Sequence, residues 1–285
     1  MNEQNLIKAA ESGDVSAMLK LAEYYAERER GNRIDDKVGD VISIEDFNKM
    51  IQADQAEDDD KSKDEFKALA YKYYLMAAEA GNAEAMGEVA RRLWDGIGVE
   101  VNTAESEVWY RRGADAGDPS AMRAAAYLSN SDEEKFKWFK LSSEVPGLDE
   151  LNRQDSIKLT AINYACGRGT EKDIAKAEEW LAKLDKDDDN SARMEIAQIT
   201  GESSWMEQAA ESSPMAMVRM AEEFVLKNDF VGALKWYKKA TRTKRKVGEN
   251  SWAVAAMSII GDIYYIGEDG IKQDYTEAFK WYSRA

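Results

Sequence analysis

The sequence predicts an all-α fold, an α/α superhelical solenoid built from about seven stacked helix pairs. Three observations predict it. The phrase Ala77-Ala78-Glu79-Ala80-Gly81-Asn82-Ala83-Glu84-Ala85-Met86 returns about 36 residues later as Gly113-Ala114-Asp115-Ala116-Gly117-Asp118-Pro119-Ser120-Ala121-Met122. It also opens the chain at Ala9–Met18 and returns, degenerate, at Ala209–Met217. Between these phrases runs an aromatic marker: Tyr73-Tyr74, Trp109-Tyr110, Trp138-Phe139, Trp236-Tyr237 and Trp281-Tyr282, with reduced forms at Trp180-Leu181 and Trp205-Met206. The mean interval of about 35 residues lies in the range of helical repeats. Finally, Ala and Glu are plentiful and there are 3 prolines in 285 residues, a balance that favours helices because interior proline is costly there.

The elements follow in order. Residues 1–13 form an N-terminal helix. Residues 14–81 make a first unit, interrupted by an insertion at 30–64 that holds a short helical candidate, Ile44 to Gln52, and the acidic run Glu57-Asp58-Asp59-Asp60. Further units are expected at 82–117, 118–145, 150–185, 189–212, 213–246 and 250–285. Each reads as helix A, a turn, then helix B. In the second unit helix A covers about Glu84 to Asp95 and ends in Asp95-Gly96-Ile97-Gly98-Val99, where glycines can take positive φ. Asn102 caps helix B, which runs to Ala116; Asp118 caps the next A helix with Pro119 at its first position. The fourth unit repeats the plan with Gly167-Arg168-Gly169 and Asp173 as cap. The seventh does so with Gly267 to Gly270 and Asp274 as cap, with one extra turn residue. The fifth unit is clipped, since Trp180 and Trp205 are about 25 residues apart.

The spacing also predicts the packing. Ala85, Val89, Ala90 and Leu93 share one face of helix A, matched by Ala256, Ile260, Gly261 and Tyr264. Small residues there allow close helix approach, and the Trp of helix B fills the gap between repeats, removing about 150–250 Å² from water per indole. One helix pair cannot bury such a face alone, but a stack can. By the same logic Met18, Met86, Met122, Met194, Met217 and Met257 read as core.

Composition bounds the function. The formal charge of −16 argues against nucleic acid, which needs a cationic surface, and against anionic membranes. The chain has no histidine, so Ser–His and Cys–His nucleophiles and a conventional zinc site are excluded. The lone Cys166 forms no internal disulfide and fits a reducing compartment; with no export signal or membrane-length apolar run, the expectation is a cytoplasmic protein. Asp185-Lys186-Asp187-Asp188-Asp189-Asn190 resembles the start of a calcium loop, but Asn190 and Ile196 stand where the motif needs Gly and Glu, so a capping turn is expected. The basic cluster Lys238–Lys246 lies at a helix end, where cations complement the dipole. Gly96-Ile97-Gly98 and Gly167-Arg168-Gly169 follow helices and carry no Gly-Lys-Ser/Thr, so they are not phosphate loops.

Glycine turn, Asp or Asn cap, aromatic pair and Ala-Ala-x-x-Gly-Asp/Asn-x-x-Ala together resemble the Sel1-like repeat pattern, best in Ala85–Gly117 and Ala256–Ala285. The resemblance implies a right-handed superhelix related to tetratricopeptide arrays, its concave face lined by A helices, and a non-catalytic scaffold or adaptor that binds another protein or peptide. It implies no catalytic residue, no cofactor and no metal. Candidate contact residues are those that point away from the stripe of helix A: Lys20, Tyr24, Glu88, Arg92, Arg219, Glu223 and Asp262. Charge reversal at Arg92 and Glu88 together is expected to weaken partner binding and leave the helical signal unchanged. Two alternatives remain at this point: the regulatory or targeting region of a longer enzyme-containing chain, suggested by the stop at Ala285 where another repeat would begin, and a hydrolase acting on cell-wall or peptide substrates, disfavoured by the missing histidine.

Overall fold

The computed structural model describes residues 3–30, 63–242 and 251–285. Within them lie α1 (Glu3–Glu11), α2 (Val15–Arg30), α3 (Lys63–Glu79), α4 (Ala83–Asp95), α5 (Thr103–Asp115), α6 (Pro119–Leu128), α7 (Asp132–Glu144), α8 (Glu150–Cys166), α9 (Ile174–Leu181), α10 (Lys186–Thr200), α11 (Ser203–Ala209), α12 (Pro214–Leu226), α13 (Phe230–Ala240), α14 (Ser251–Ile266) and α15 (Tyr275–Tyr282). Among the described residues there is no strand, and the one β-bridge joins Glu268 and Ile271 inside a turn. The fold is all-α. The insertion's helical candidate and acidic run, and residues 243–246 of the basic cluster, lie outside the described residues. The chain groups into two compact units, residues 1–156 and 157–285.

Two turns recur, and each has a local physical cause. Between a B helix and the next A helix, Gly13, Gly81 and Gly117 take φ of 98°, 95° and 103°. A side chain added at any of the three would meet nothing within 4 Å; glycine is there for its left-handed backbone alone. The turn then closes by the same bond each time: Asp14 N–H to Ala9 O, Asn82 N–H to Ala77 O and Asp118 N–H to Gly113 O, at 2.9–3.0 Å. This satisfies carbonyls that a helix end otherwise leaves open. The residue after each glycine caps the following helix, Asp14 from Ser16 N–H, Asn82 from Ala85 N–H and Asp118 from Ala121 N–H.

Between an A and a B helix the glycine-rich turn closes by Asn102 N–H to Leu93 O, Asp173 N–H to Tyr164 O and Asp274 N–H to Tyr264 O. The last spans one residue more than the others, as the sequence indicated. Asn102, Asp173 and Asp274 then accept from backbone N–H groups of α5, α9 and α15. Gly98 is needed for a second reason: a Cβ there would lie 2.1 Å from the backbone oxygen of Lys67 on α3. Between α10 and α11 the turn shrinks to Gly201 and Glu202, with Gly201 in the left-handed region at φ 72°. Asp185 caps α10 through Asp187 and Asp188 N–H.

The buried face is the predicted stripe. Ala85, Val89, Ala90 and Leu93 are buried, as are Ala256, Ile260 and Gly261, whereas Tyr264 is half-buried against the same core. Trp109, Trp138, Trp180 and Trp205 are buried, while Trp236 and Trp281 are half-buried against the core of residues 157–285. Met18, Met122, Met217 and Met257 are buried and Met86 and Met194 half-buried, which places them in the core. Gly113 shows how tight the stacking is: a Cβ there would sit 2.9 Å from that of Ala121 and 3.3 Å from that of Met86.

Candidate functional site

Within residues 1–156 three successive A helices, α2, α4 and α6, line one groove of about 720 Å³. Its floor is apolar and small: Leu19, Gly87, Ala121 and Ala124, with Tyr74 and Tyr110 reaching in from the B helices. Its polar groups are Glu23, Glu84, Glu88, Arg91 and Asp118. Glu84, Gly87, Glu88 and Arg91 fall at i, i+3, i+4 and i+7, one face of α4.

The acids of this groove are not equivalent. Glu88 is compensated: Arg91 Nη2 donates to it at 2.6 Å, and the Nε atoms of Arg91 and Arg92 at 3.0 Å. Glu23, Glu84 and Asp118 have no such partner among the described ion pairs. Glu23 keeps part of its side chain in solvent, yet burial raises its pKa above the usual carboxylate range. Glu84 and Glu27 add to the rise and Lys20 opposes it. Burial likewise raises Asp118, with Glu84 adding to it, although the N–H groups of Ala121 and Ser120 favour its charged form. Glu84 thus repels acids on both sides of it, and the groove presents a negative field over an apolar floor. Among the described residues no group of three or more His, Cys, Asp or Glu side chains is arranged to hold a metal ion.

The structure separates the seven sequence candidates. Glu88 lines the groove. Lys20 is half-buried beside Glu23, whose charge it favours. Arg92 and Tyr24 are not surface residues. Arg92 is 0% exposed; its Nη2 meets Glu29 of α2 at 3.0 Å, its Nε meets Glu88 at 3.0 Å, and its guanidinium lies 5.3 Å from the ring centre of Tyr74 on α3. Tyr24 is 5% exposed, edge-on to Tyr25, with its hydroxyl accepting from Arg28. The physical reason is helical pitch. Arg92, four residues after the groove residue Glu88, is turned about 40° beyond it, and Tyr24, directly after the groove residue Glu23, about 100° from it, so both face the packed core. Charge reversal at Arg92 therefore strikes the fold, and it cannot separate binding from stability. In residues 157–285, Arg219 is exposed and pairs with Glu222, Glu223 is half-buried, and Asp262 accepts from the Tyr282 hydroxyl at 2.6 Å, pushing that hydroxyl's pKa up to about 12. None of these three lines a described cavity. Sequence reading missed Glu23, Glu84 and Arg91 as groove residues and saw Asp118 only as a cap; the i, i+3, i+4, i+7 spacing on α4 was the available signal.

Consecutive antiparallel helix pairs, joined by two recurring turns and exposing a groove of A helices, define an all-α repeat protein. Residues 59–82, 83–118, 159–184, 214–242 and 254–285 match the family model of the Sel1 repeat, over half of the chain in all. The chain belongs to the Sel1 repeat family. Among solved structures it is similar to c5321, a protective antigen present in uropathogenic Escherichia coli strains and displaying an SLR fold, at 19% identity over 100% of this chain and 64% of that one, with a TM-score of 0.48. The chain thus spans just under two thirds of that protein. It is also similar to a Sel1 repeat protein from Oxalobacter formigenes, at 20% identity over 98% of this chain and 84% of that one (TM-score 0.45), and to the immunity protein Pa5087 from Pseudomonas aeruginosa, at 13% identity over 90% and 85% (TM-score 0.30). No curated protein matches. Among the described residues no helix is long and apolar enough to cross a membrane.

Proposed function

We propose that this protein is a non-catalytic scaffold that holds a segment of another protein in the groove of α2, α4 and α6. Sel1 repeats generally mediate protein–protein interaction and are typically non-enzymatic. The observation that carries the reading here is the acid set of Glu23, Glu84 and Asp118, none with an ion-pair partner among the described residues, above an apolar floor. Such a surface favours a segment with an apolar side chain flanked by Lys or Arg, because charge complementarity fixes register and speeds encounter. The cytoplasm is the setting we assign, since the single cysteine, half-buried Cys166, suits a reducing compartment.

The test is a single exposed position. Glu84 makes no ion pair among the described residues and lies on the rim, so Glu84→Lys should leave the far-ultraviolet circular dichroism and the Tm unchanged. Affinity capture from native lysate, compared between the wild type and Glu84→Lys, should show a partner lost from the variant. The same capture with the 30–64 insertion removed asks whether that segment contributes. A partner retained equally by Glu84→Lys and the wild type would remove the groove from the function.

A further inference from the structure

Residues 157–285 carry a second cavity of opposite character. It measures about 570 Å³ and lies between α13, the end of α14 and the turn before α15. Val231, Leu234 and Ile271 form its apolar lining, and Lys235, Lys238 and Lys272 surround them. Lys235 and Lys238 stand three residues apart on α13, so they share a face; Lys272 reaches the same space from the turn. Lys238 Nζ donates to the Tyr264 hydroxyl at 2.9 Å, which holds it at the cavity wall. One carboxylate lines the space, Asp274, and its Oδ1 already accepts from the Thr276 and Glu277 N–H groups at 2.9 Å as the cap of α15.

The chain carries a formal charge of −16, and some cations elsewhere in residues 157–285 pair with acids, Lys158 with Glu195, Lys172 with Glu202, Lys176 with Asp173, Arg193 with Glu178 and Asp189, and Lys280 with Glu277, while Lys183, Lys227 and Arg284 lie over aromatic rings. Among the described residues none of Lys235, Lys238 and Lys272 has a carboxylate partner. Three cations gathered around one apolar floor, with no carboxylate paired to them among the described residues, make a local positive patch on an acidic protein, which a ligand's negative charge complements. Basic residues at a helix end are explained by the dipole, but that account covers neither Lys235, in the middle of α13, nor Lys272, which is in no helix.

We infer that this cavity is a second binding site, for an acidic peptide segment of a partner protein that presents an aliphatic side chain beside two or more carboxylates. The aliphatic group occupies the Val231–Leu234–Ile271 floor and the carboxylates meet Lys235, Lys238 and Lys272. This site does not depend on the groove of α2, α4 and α6, and its variants leave that groove untouched.

The experiment uses the full chain and a fluorescein-labelled hexapeptide of sequence Asp-Glu-Leu-Asp-Glu-Leu, followed by fluorescence anisotropy. Wild type should bind it, with affinity falling as salt rises. The Lys235→Gln/Lys272→Gln double variant, both side chains being solvent-exposed, should bind about ten-fold more weakly, with an unchanged Tm. Lys172→Gln/Lys280→Gln changes the net charge equally outside the cavity and should bind as wild type does. Replacing both leucines of the probe by serine should weaken it further. Equal loss in the two double variants, no binding by the wild type, or complete competition by millimolar inorganic phosphate or by a thymidine oligonucleotide would each overturn the proposal. Glu84→Lys should leave this probe's affinity intact or raise it, so failure here is distinguishable from failure of the groove.

Discussion

The groove in residues 1–156 and the cavity in residues 157–285 are built on one repeat plan and carry opposite charge. In the first, Glu23, Glu84 and Asp118 crowd one another, and burial holds Glu23 and Asp118 above the ordinary carboxylate range. In the second, Lys235, Lys238 and Lys272 surround an apolar floor with no carboxylate paired to them among the described residues. The difference teaches that the repeat fixes only what it must bury. The Ala and aliphatic stripe, the aromatic of helix B and the capping residue are set by packing. Positions turned toward the open space are free to take either sign, and there the two regions diverge.

The largest test of that division falls on Arg92, where a charged residue has been drawn into the buried set. It joins Glu29 of α2, Glu88 of α4 and the Tyr74 face of α3 while wholly excluded from water. Removing one partner of a buried ion pair leaves the other charge uncompensated, at a cost of about 3–5 kcal/mol. Arg92→Met should therefore lower the denaturation midpoint sharply. Arg219→Met, a change of the same kind at an exposed arginine paired only with Glu222, should cost at most about 1 kcal/mol. Equal effects in urea titrations would erase the distinction between buried and open positions.

Next in size is the turn that seats α4 against α3. Gly98 combines a φ of 73° with a Cβ position 2.1 Å from the Lys67 backbone oxygen. Gly98→Ala meets both penalties, the left-handed backbone at about 1–2 kcal/mol and a clash that no rotamer relieves. Gly81→Ala, at φ 95° with nothing near its Cβ, meets the first alone. Comparing the two by thermal unfolding separates backbone conformation from close approach, and a smaller loss at Gly98 than at Gly81 would contradict the geometry.

How far the sequence foretold this molecule follows the same line. Asn102, Asp118, Asp173 and Asp274 cap the helices that their spacing assigned to them, because a cap is a bond between residues two or three apart and needs no knowledge of the rest of the chain. The Ala85–Val89–Ala90–Leu93 face was legible because burial of a stripe repeats with the helix. Arg92 was not: its pairing with Glu29 spans 63 residues, and periodicity cannot show that two charged side chains meet across a buried seam. The groove escaped for a related reason. Glu23, Glu84 and Asp118 come from three helices, and no local pattern records that three acids share one space. Lys238 was visible as part of a basic run, but Lys235 and Lys272 became its neighbours only when α13 packed beside the turn before α15.

The smallest effect sharpens the contrast through pH. A carboxylate whose folded-state pKa is raised binds its proton more tightly in the native state than in the unfolded chain. Its contribution to stability is complete below the unfolded value and is lost as pH rises through the folded one. For Glu23 and Asp118 that window opens at the ordinary values of 4.5 and 3.8 and extends upward. Stability should therefore decline modestly with rising pH there, over and above the trend set by the other carboxylates. Glu23→Gln with Asp118→Asn, the latter retaining an N-cap acceptor, should flatten that part of the profile. A cationic peptide bound in the groove must show the reverse sign. It prefers the ionised acids, so its affinity should climb across the same window in which stability falls, and the double variant should lose that climb. Binding that stayed flat with pH in the wild type would mean that these two acids do not face the ligand.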